Sequence, residues 1–138
     1  MAETRLVHVG IAATDVERSV RFWHDALGLR LTGAFDNAYD LTDGYHNVRL
    51  FQYNGPARSD HVSGLAAYLH VGVKVDDLAS AVGRCTDLGF SIVCDDIDHP
   101  KPFDPSAPPT ASFKVEDPDG IVVDVTASDD QWPDMPAP

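Results

Sequence analysis

The sequence predicts an α+β fold in which two βαβββ modules follow one another and enclose a pocket. Each module is expected to be a curved mixed or antiparallel sheet with helices on its outer face. Three observations predict it: an internal repeat, two amphipathic helices that each end at a glycine, and three strand signals after each helix. Residues 1–138 fit a single domain, with modules at residues 5–55 and 66–127. The acidic, proline-rich residues 129–138 predict a flexible tail.

The internal repeat has an offset of 62 residues. The run His8-Val9-Gly10-Ile11 returns as His70-Val71-Gly72-Val73. The run Leu27-Gly28-Leu29 returns, one residue early, as Leu88-Gly89-Phe90. Two copies at so long a period indicate the duplication of a half-domain and not a solenoid.

Each copy passes from a strand into an amphipathic helix. Thr14 and Glu17 have the spacing of a capping box, so Thr14 is the predicted N-cap of the first helix, and Asp76 is that of the second. Gly28 and Gly89 suit the left-handed residue that ends a helix. The apolar stripes comprise Val16, Val20, Phe22, Trp23, Ala26 and Leu27 in the first helix and Leu78, Val82, Cys85 and Leu88 in the second.

Three short strand signals follow each helix. They span residues 29–35, 38–41 and 48–53 in the first module, and residues 90–94, 111–115 and 121–126 in the second. The run Pro118-Asp119-Gly120 predicts a hairpin between the last two strands. Residues 95–109 contain five prolines and predict a long loop, either a functional lid or a surface excursion.

Composition limits the classes of partner and the compartment. The formal net charge is −12, and such a surface repels nucleic acid and anionic membranes, so neither is an expected partner. No secretory signal or membrane-spanning apolar run is seen in the sequence. Cys85 and Cys94 do not have the spacing of a disulfide framework or a zinc site. They are predicted to be buried thiols in a reducing compartment. We expect a cytoplasmic protein with a small-molecule partner.

Strand alternation predicts which side chains face away from the helices. The valines at 71, 73 and 75 form one face of their strand, which packs on a helix, so the neighbouring side chains face the other way. The same reasoning applies to the other strands. The side chains predicted on the open faces are His8, Arg49, Phe51 and Tyr53 in the first module and Tyr68, His70, Lys114 and Asp124 in the second.

Two histidines and a carboxylate on these faces match the 2-His-1-carboxylate ligand set. His8, His70 and Asp124 are therefore the candidate metal-ligating and catalytic residues, although a strand histidine can also be a hydrogen-bonded wall residue. Open coordination positions suit Lewis-acid chemistry with Fe, Mn, Ni, Co or Zn. The candidate substrate-binding residues are Arg49 and Lys114 for an anionic group, together with Phe51, Tyr53 and Tyr68.

These residues also carry a resemblance. The first repeat motif leading into residues 15–23 and 26–29, and the run at 116–120 followed by a strand carboxylate, resemble the vicinal oxygen chelate superfamily over about residues 5–127. This superfamily includes glyoxalases, methylmalonyl-CoA epimerases, extradiol dioxygenases, fosfomycin-resistance enzymes and bleomycin-binding proteins. The resemblance implies His8, His70 and Asp124 as metal ligands.

The sequence departs from this family pattern at three places. Arg49 stands where glyoxalases and epimerases have Glu or Gln, Asp124 replaces the usual Glu, and Lys114 stands where dioxygenases commonly have a tyrosine. The fold further implies a homodimer, because its half-barrels often close against a partner. Whether the two modules pair within one chain or are swapped between two is left open.

Three functions are consistent with these residues. The favoured one is a divalent-metal-dependent isomerase, lyase or oxygenase acting on a substrate with vicinal oxygens or a carboxylate. The alternative is a metal-free, drug-sequestering binding protein of the bleomycin-resistance type, in which Arg49 pairs with Asp124 and aromatic side chains stack on the ligand. The third is a metal-free enzyme with His8 or His70 as general base.

Overall fold

The structure, a computed structural model, describes residues 6, 8–55, 71–93, 101, 103–128 and 130. The chain divides into two compact units, Met1–Asn54 and Gly55–Pro138. Each unit contains one βαβββ module with a four-stranded mixed sheet that is not closed, so the predicted fold class is confirmed.

The first unit runs β1, α1, β2, β3, β4. Its elements are β1 His8–Ala13, α1 Val16–Val20 with a π-helical continuation Arg21–Ala26, β2 Arg30–Phe35, β3 Ala38–Thr42 and β4 Asn47–Gln52. The strand order is β1-β4-β3-β2, with β1 parallel to β4 and the other pairs antiparallel. The first strand of the module therefore lies beside its last.

The second unit repeats this arrangement. Its elements are β5 Val71–Lys74, α2 Leu78–Asp87, β6 Ile92–Val93, β7 Ser112–Glu116 and β8 Val122–Thr126. The strand order is β5-β8-β7-β6, again with the first strand parallel to the last. The shared topology confirms the repeat. Tyr68, His70 and Cys94 lie outside the described residues.

Both helices begin one residue later than predicted. The N-cap of α1 is Asp15, whose carboxylate accepts from the Arg18 N–H at 3.2 Å, and not Thr14. The Thr14 carbonyl instead accepts from Gln52 Nε2 at 2.7 Å, which ties it to the end of β4. The N-cap of α2 is likewise Asp77 and not Asp76. The Asp77 carboxylate accepts from both the N–H and the hydroxyl of Ser80.

The first helix widens into a π-helix that the sequence analysis did not predict. The Leu27 N–H donates to the Phe22 carbonyl at 3.1 Å, five residues back, in place of the usual four. Phe22 and Trp23 are adjacent in sequence, and both are buried, with ring centroids 5.3 Å apart in an edge-to-face arrangement. Gly28 and Gly89 end the two helices with φ of +86° and +77°, as predicted.

The core of each unit lies between its helix and the inward face of its sheet. The buried apolar residues are Ile11, Ala13, Val16, Phe22, Trp23, Ala26, Leu27, Leu29, Leu41 and Leu50 in the first unit and Leu78, Ala81, Val82, Cys85, Phe113, Val115, Val123 and Val125 in the second. Burial raises the pKa of the Cys85 thiol to about 11, which keeps it protonated and unreactive at neutral pH.

Candidate functional site

The sheet of the first unit has a face that points away from its helix, which we name the first open face. Strand register places one row of residues across it: Gly33 on β2, Asp40 on β3, Arg49 on β4 and Gly10 on β1. His8 and Phe51 lie on either side of this row, as alternation predicts. Tyr53 lies just beyond β4, where its backbone N–H donates to the Ala13 carbonyl at 2.8 Å.

Arg49 forms a two-pronged ion pair with Asp40, its neighbour on β3. Nε and Nη2 of Arg49 donate to the two carboxylate oxygens at 2.6 and 2.7 Å. The guanidinium carbon also lies 5.0 Å from the centroid of the Phe35 ring. Cross-strand register places Asp40 directly beside Arg49. The predicted pairing of Arg49 with Asp124 joins residues of different units and stays a prediction.

Asp40 and Phe35 were both missed in the sequence analysis. Asp40 comes directly before the buried Leu41 on β3, so strand alternation alone could have placed Asp40 on the open face. The position of Phe35 on the open face was harder to predict, because the register of β2 shifts between Leu31 and Gly33 and strand alternation fails at that shift.

The ion pair leads to a prediction about acid stability. Hydrogen bonds from Arg49 lower the pKa of Asp40 below its usual value, against a smaller upward effect of burial. A carboxylate with a lowered folded pKa contributes stability above its unfolded pKa of about 4 and loses it as pH falls through the lower folded pKa. We therefore expect Asp40→Asn to unfold at lower urea than the parent at pH 7, and the difference to shrink at pH 3.

Urea midpoints by circular dichroism at both pH values measure this difference. Asp36→Asn, in the exposed turn between β2 and β3, is the control and should track the parent at each pH. An unchanged difference between pH 7 and pH 3 for Asp40→Asn contradicts the assignment.

His8 is held by Asn47, the residue opposite it on β4. Nδ1 of His8 lies 2.6 Å from Oδ1 of Asn47. Nε2 lies next to Gly10, only 3.6 Å from the position that a β-carbon on this glycine would take. Asn47 was not singled out from the sequence, because its role depends on the parallel register of β1 and β4.

The second open face, on the sheet of the second unit, carries the same arrangement with its charges reversed. Asp124 on β8 lies opposite Gly72 on β5 and Lys114 on β7. Its side chain is 7% exposed, and Lys114 Nζ lies 3.8 Å from one carboxylate oxygen. Asp124 thus takes the position that Arg49 holds in the first unit, and each of these charges faces an opposite charge on the preceding strand.

The predicted metal ligands are only partly described. Within residues 8–55, 71–93 and 103–128, no three His, Cys, Asp or Glu side chains gather as a metal site, and His70 lies outside these ranges. The ligand set of His8, His70 and Asp124 stays a prediction.

A cavity of about 500 Å³ lies beside α2 in the second unit. It is lined by Leu78, Ala79, Val82, Gly83, Thr86 and Asp87 of the helix and by Phe103, Pro105, Pro108, Pro109 and Thr110. The described part of the predicted 95–109 loop therefore lies against the helix, away from the strand face of Lys114 and Asp124.

Comparison with known proteins gives one family match and several similar folds. The family model described as Glyoxalase/Bleomycin resistance protein/Dioxygenase superfamily matches residues 5–125. No curated protein matches the chain. None of the helices among the described residues is both long and apolar enough to cross a membrane.

Three solved structures illustrate the shared fold. The oxidase ChaP-H2 has a TM-score of 0.63 at 18% identity, covering 92% of this chain and 95% of its own. The fosfomycin resistance protein FosX from Mesorhizobium loti has a TM-score of 0.62 at 20% identity, and the match covers 93% of this chain and 94% of its own. TioX from Micromonospora sp. ML1 has a TM-score of 0.58 at 22% identity, and the match covers 89% of this chain and 98% of its own. At these identities the likeness concerns the fold alone.

Proposed function

Because the chain belongs to the glyoxalase/bleomycin resistance protein/dioxygenase superfamily, we propose that it binds a small molecule, and that the first open face binds the aromatic part of that molecule without a metal ion. The observation that carries the proposal is the Arg49–Asp40 pair, which lies in the row of the sheet next to the row of the exposed Phe35 and Phe51. This is the binding function of the drug-sequestering type.

The first open face is suited to a planar ring. Phe35 is 54% exposed and Phe51 is 37% exposed, although both are large apolar side chains. Each leans towards a glycine: β-carbons on Gly33 and Gly10 would lie 3.2 and 4.0 Å from the Phe35 and Phe51 rings, respectively. The two-pronged pair of the Arg49 guanidinium and the Asp40 carboxylate lies in the neighbouring row, and guanidinium planes stack on aromatic rings.

The charge of this face sets the class of ligand. Nε and Nη2 of Arg49 already donate to Asp40, so the predicted capture of a substrate carboxylate by Arg49 would use the Nη1 edge of a guanidinium whose charge Asp40 already balances. The pair is neutral as a whole, and the chain carries a net charge of −12, which attracts cations. The proposed ligand is a planar aromatic molecule without net negative charge.

A divalent-metal enzyme is the second candidate, and one observation favours it. The Asn47 bond to Nδ1 of His8 resembles the outer hydrogen bond that orients a metal-ligating imidazole, with Nε2 left to bind the ion. In the second unit the fit is poorer, because the Lys114 ammonium beside Asp124 repels a divalent cation. When bound by His8, His70 and Asp124, the ion would supply Lewis-acid stabilisation of an anionic intermediate.

Binding of two three-ring probes of opposite charge tests the proposal. Proflavine is a planar aromatic cation, and 9-anthracenecarboxylate is a planar anion of similar size. We expect the full chain, purified without chelators, to bind proflavine in preference to the anion and to keep that binding in EDTA. Phe51→Ala should weaken proflavine binding about fivefold, because stacking contributes about 1 kcal/mol beyond area burial.

Tyr45→Ala is the matched control, since Tyr45 is an aromatic residue 66% exposed in the connection between β3 and β4. An equal loss in this variant, or no binding of either probe, contradicts the proposal. Metal analysis of the parent, His8→Ala and His70→Ala distinguishes the divalent-metal enzyme from the metal-free binding protein. Stoichiometric metal in the parent that both variants lose, with probe binding abolished by EDTA, would establish the metal-dependent site instead.

A further inference from the structure

We infer that Asn47 is a positioning residue that fixes the proton of neutral His8 on Nδ1, and that Nε2 of His8 therefore selects a ligand with an N–H or O–H donor beside its aromatic ring. The ligand class rests on the proposed function. The hydrogen bond between His8 and Asn47 rests only on contacts within the first unit.

Asn47 lies opposite His8 in the parallel register of β1 and β4. Its amide oxygen lies 2.6 Å from Nδ1 of His8. Because this oxygen only accepts, Nδ1 must be the donor. A neutral imidazole has one N–H, so Nε2 carries a lone pair.

Nε2 lies where a bound ring would meet it. His8 is exposed, and a β-carbon on Gly10 would lie 3.6 Å from Nε2 and 4.0 Å from the edge of the Phe51 ring. The acceptor atom and the aromatic surface thus flank the same glycine. A ring stacked at Phe51 can present a hydroxyl or amino group to Nε2, so phenols, aromatic amines and N–H heterocycles are the selected class.

Nitrogen-15 NMR of the histidine rings at pH 8.5 tests the hydrogen bond between His8 and Asn47 directly. We expect parent His8 to show the Nδ1–H form. Asn47→Leu should move it towards the Nε2–H form that an unrestrained histidine prefers, and Asn47→Asp, which restores an acceptor, should return the Nδ1–H form. His24 is an internal reference, because its Nδ1 lies 2.7 Å from the Leu29 carbonyl, which only accepts, and it should show Nδ1–H in every variant.

A matched pair of naphthalenes tests the ligand class. 2-Naphthol has a hydroxyl donor, and 2-methoxynaphthalene has none. We expect the parent to bind 2-naphthol about fivefold more tightly, the effect of one neutral hydrogen bond. In Asn47→Leu, with unchanged amide spectra elsewhere, the preference should fall below about twofold.

The possible failures are distinguishable. An Nε2–H form in the parent, or no change in Asn47→Leu, overturns the positioning role even if both naphthalenes bind. An Nδ1–H form with equal affinities overturns the selection of donors. No binding of either compound overturns both the ligand class and the proposed aromatic site, whereas the tautomer result still decides the positioning role.

Discussion

Replacing Trp23 with alanine is expected to lower the free energy of unfolding by about 3–5 kcal/mol. Trp23 is 1% exposed, and its ring meets Phe22 at an interplanar angle of 87°. The widened helical turn holds these two neighbouring residues in the core together, so nothing adjacent is free to fill the space left by the indole. Since whole domains are stable by only about 5–15 kcal/mol, the loss should be large enough to deplete the folded protein.

Chemical unfolding followed by far-ultraviolet circular dichroism measures this change without relying on tryptophan fluorescence. Tyr45→Ala, at a residue 66% exposed, should change the free energy by less than about 0.5 kcal/mol. A loss below 1 kcal/mol for Trp23→Ala would show that the first unit tolerates the cavity and would contradict the described core.

Replacing Asp117 with alanine is the second large effect, expected at about 2–3 kcal/mol. One oxygen of this 4% exposed carboxylate accepts from the backbone N–H groups of Asp119 and Ile121, at 2.8 and 2.9 Å. These two bonds hold the β7–β8 hairpin, where Gly120 takes a φ of +85°. Alanine removes this buried acceptor from both N–H groups.

Two matched variants sharpen the measurement. Asp117→Asn keeps an acceptor oxygen and should lose less than half as much stability. Asp43 makes a similar pair of bonds in the first unit, to the N–H groups two and three residues on, of Tyr45 and His46, but its side chain is 48% exposed. Water can replace it there, so Asp43→Ala should cost less than Asp117→Ala. A larger loss of stability in Asp43→Ala than in Asp117→Ala would contradict burial as the cause of the difference.

The fold could be predicted because its signals are local and occur twice. Alternation around Ile11 and Leu50 identifies the buried faces, and Gly28 and Gly89 mark the helix ends. The paired topology then follows from the repeat. Each helix starts at the second of two adjacent cap-forming residues, because that residue's carboxylate reaches the N–H three positions on, as for Asp15.

The site could be predicted only in part, because its partners are set by strand register. Arg49 and His8 were found from alternation, but their partners Asp40 and Asn47 depend on which residue lies opposite on the next strand. A shift of one residue in that register would turn every side chain to the other face. The homodimer, the cytoplasmic location and the contributions of Tyr68 and His70 stay predictions.

The π-helix explains the irregularity in the repeat. Thirteen positions separate the N-cap Asp15 from Gly28, whereas twelve separate Asp77 from Gly89. The wider turn contains the additional residue, so both helices still end at a left-handed glycine. After the duplication, the copies therefore diverged by an insertion or deletion inside a helix, where such events usually disrupt folding. The backbone retains this event at residues 21–26 as a local change of helical pitch.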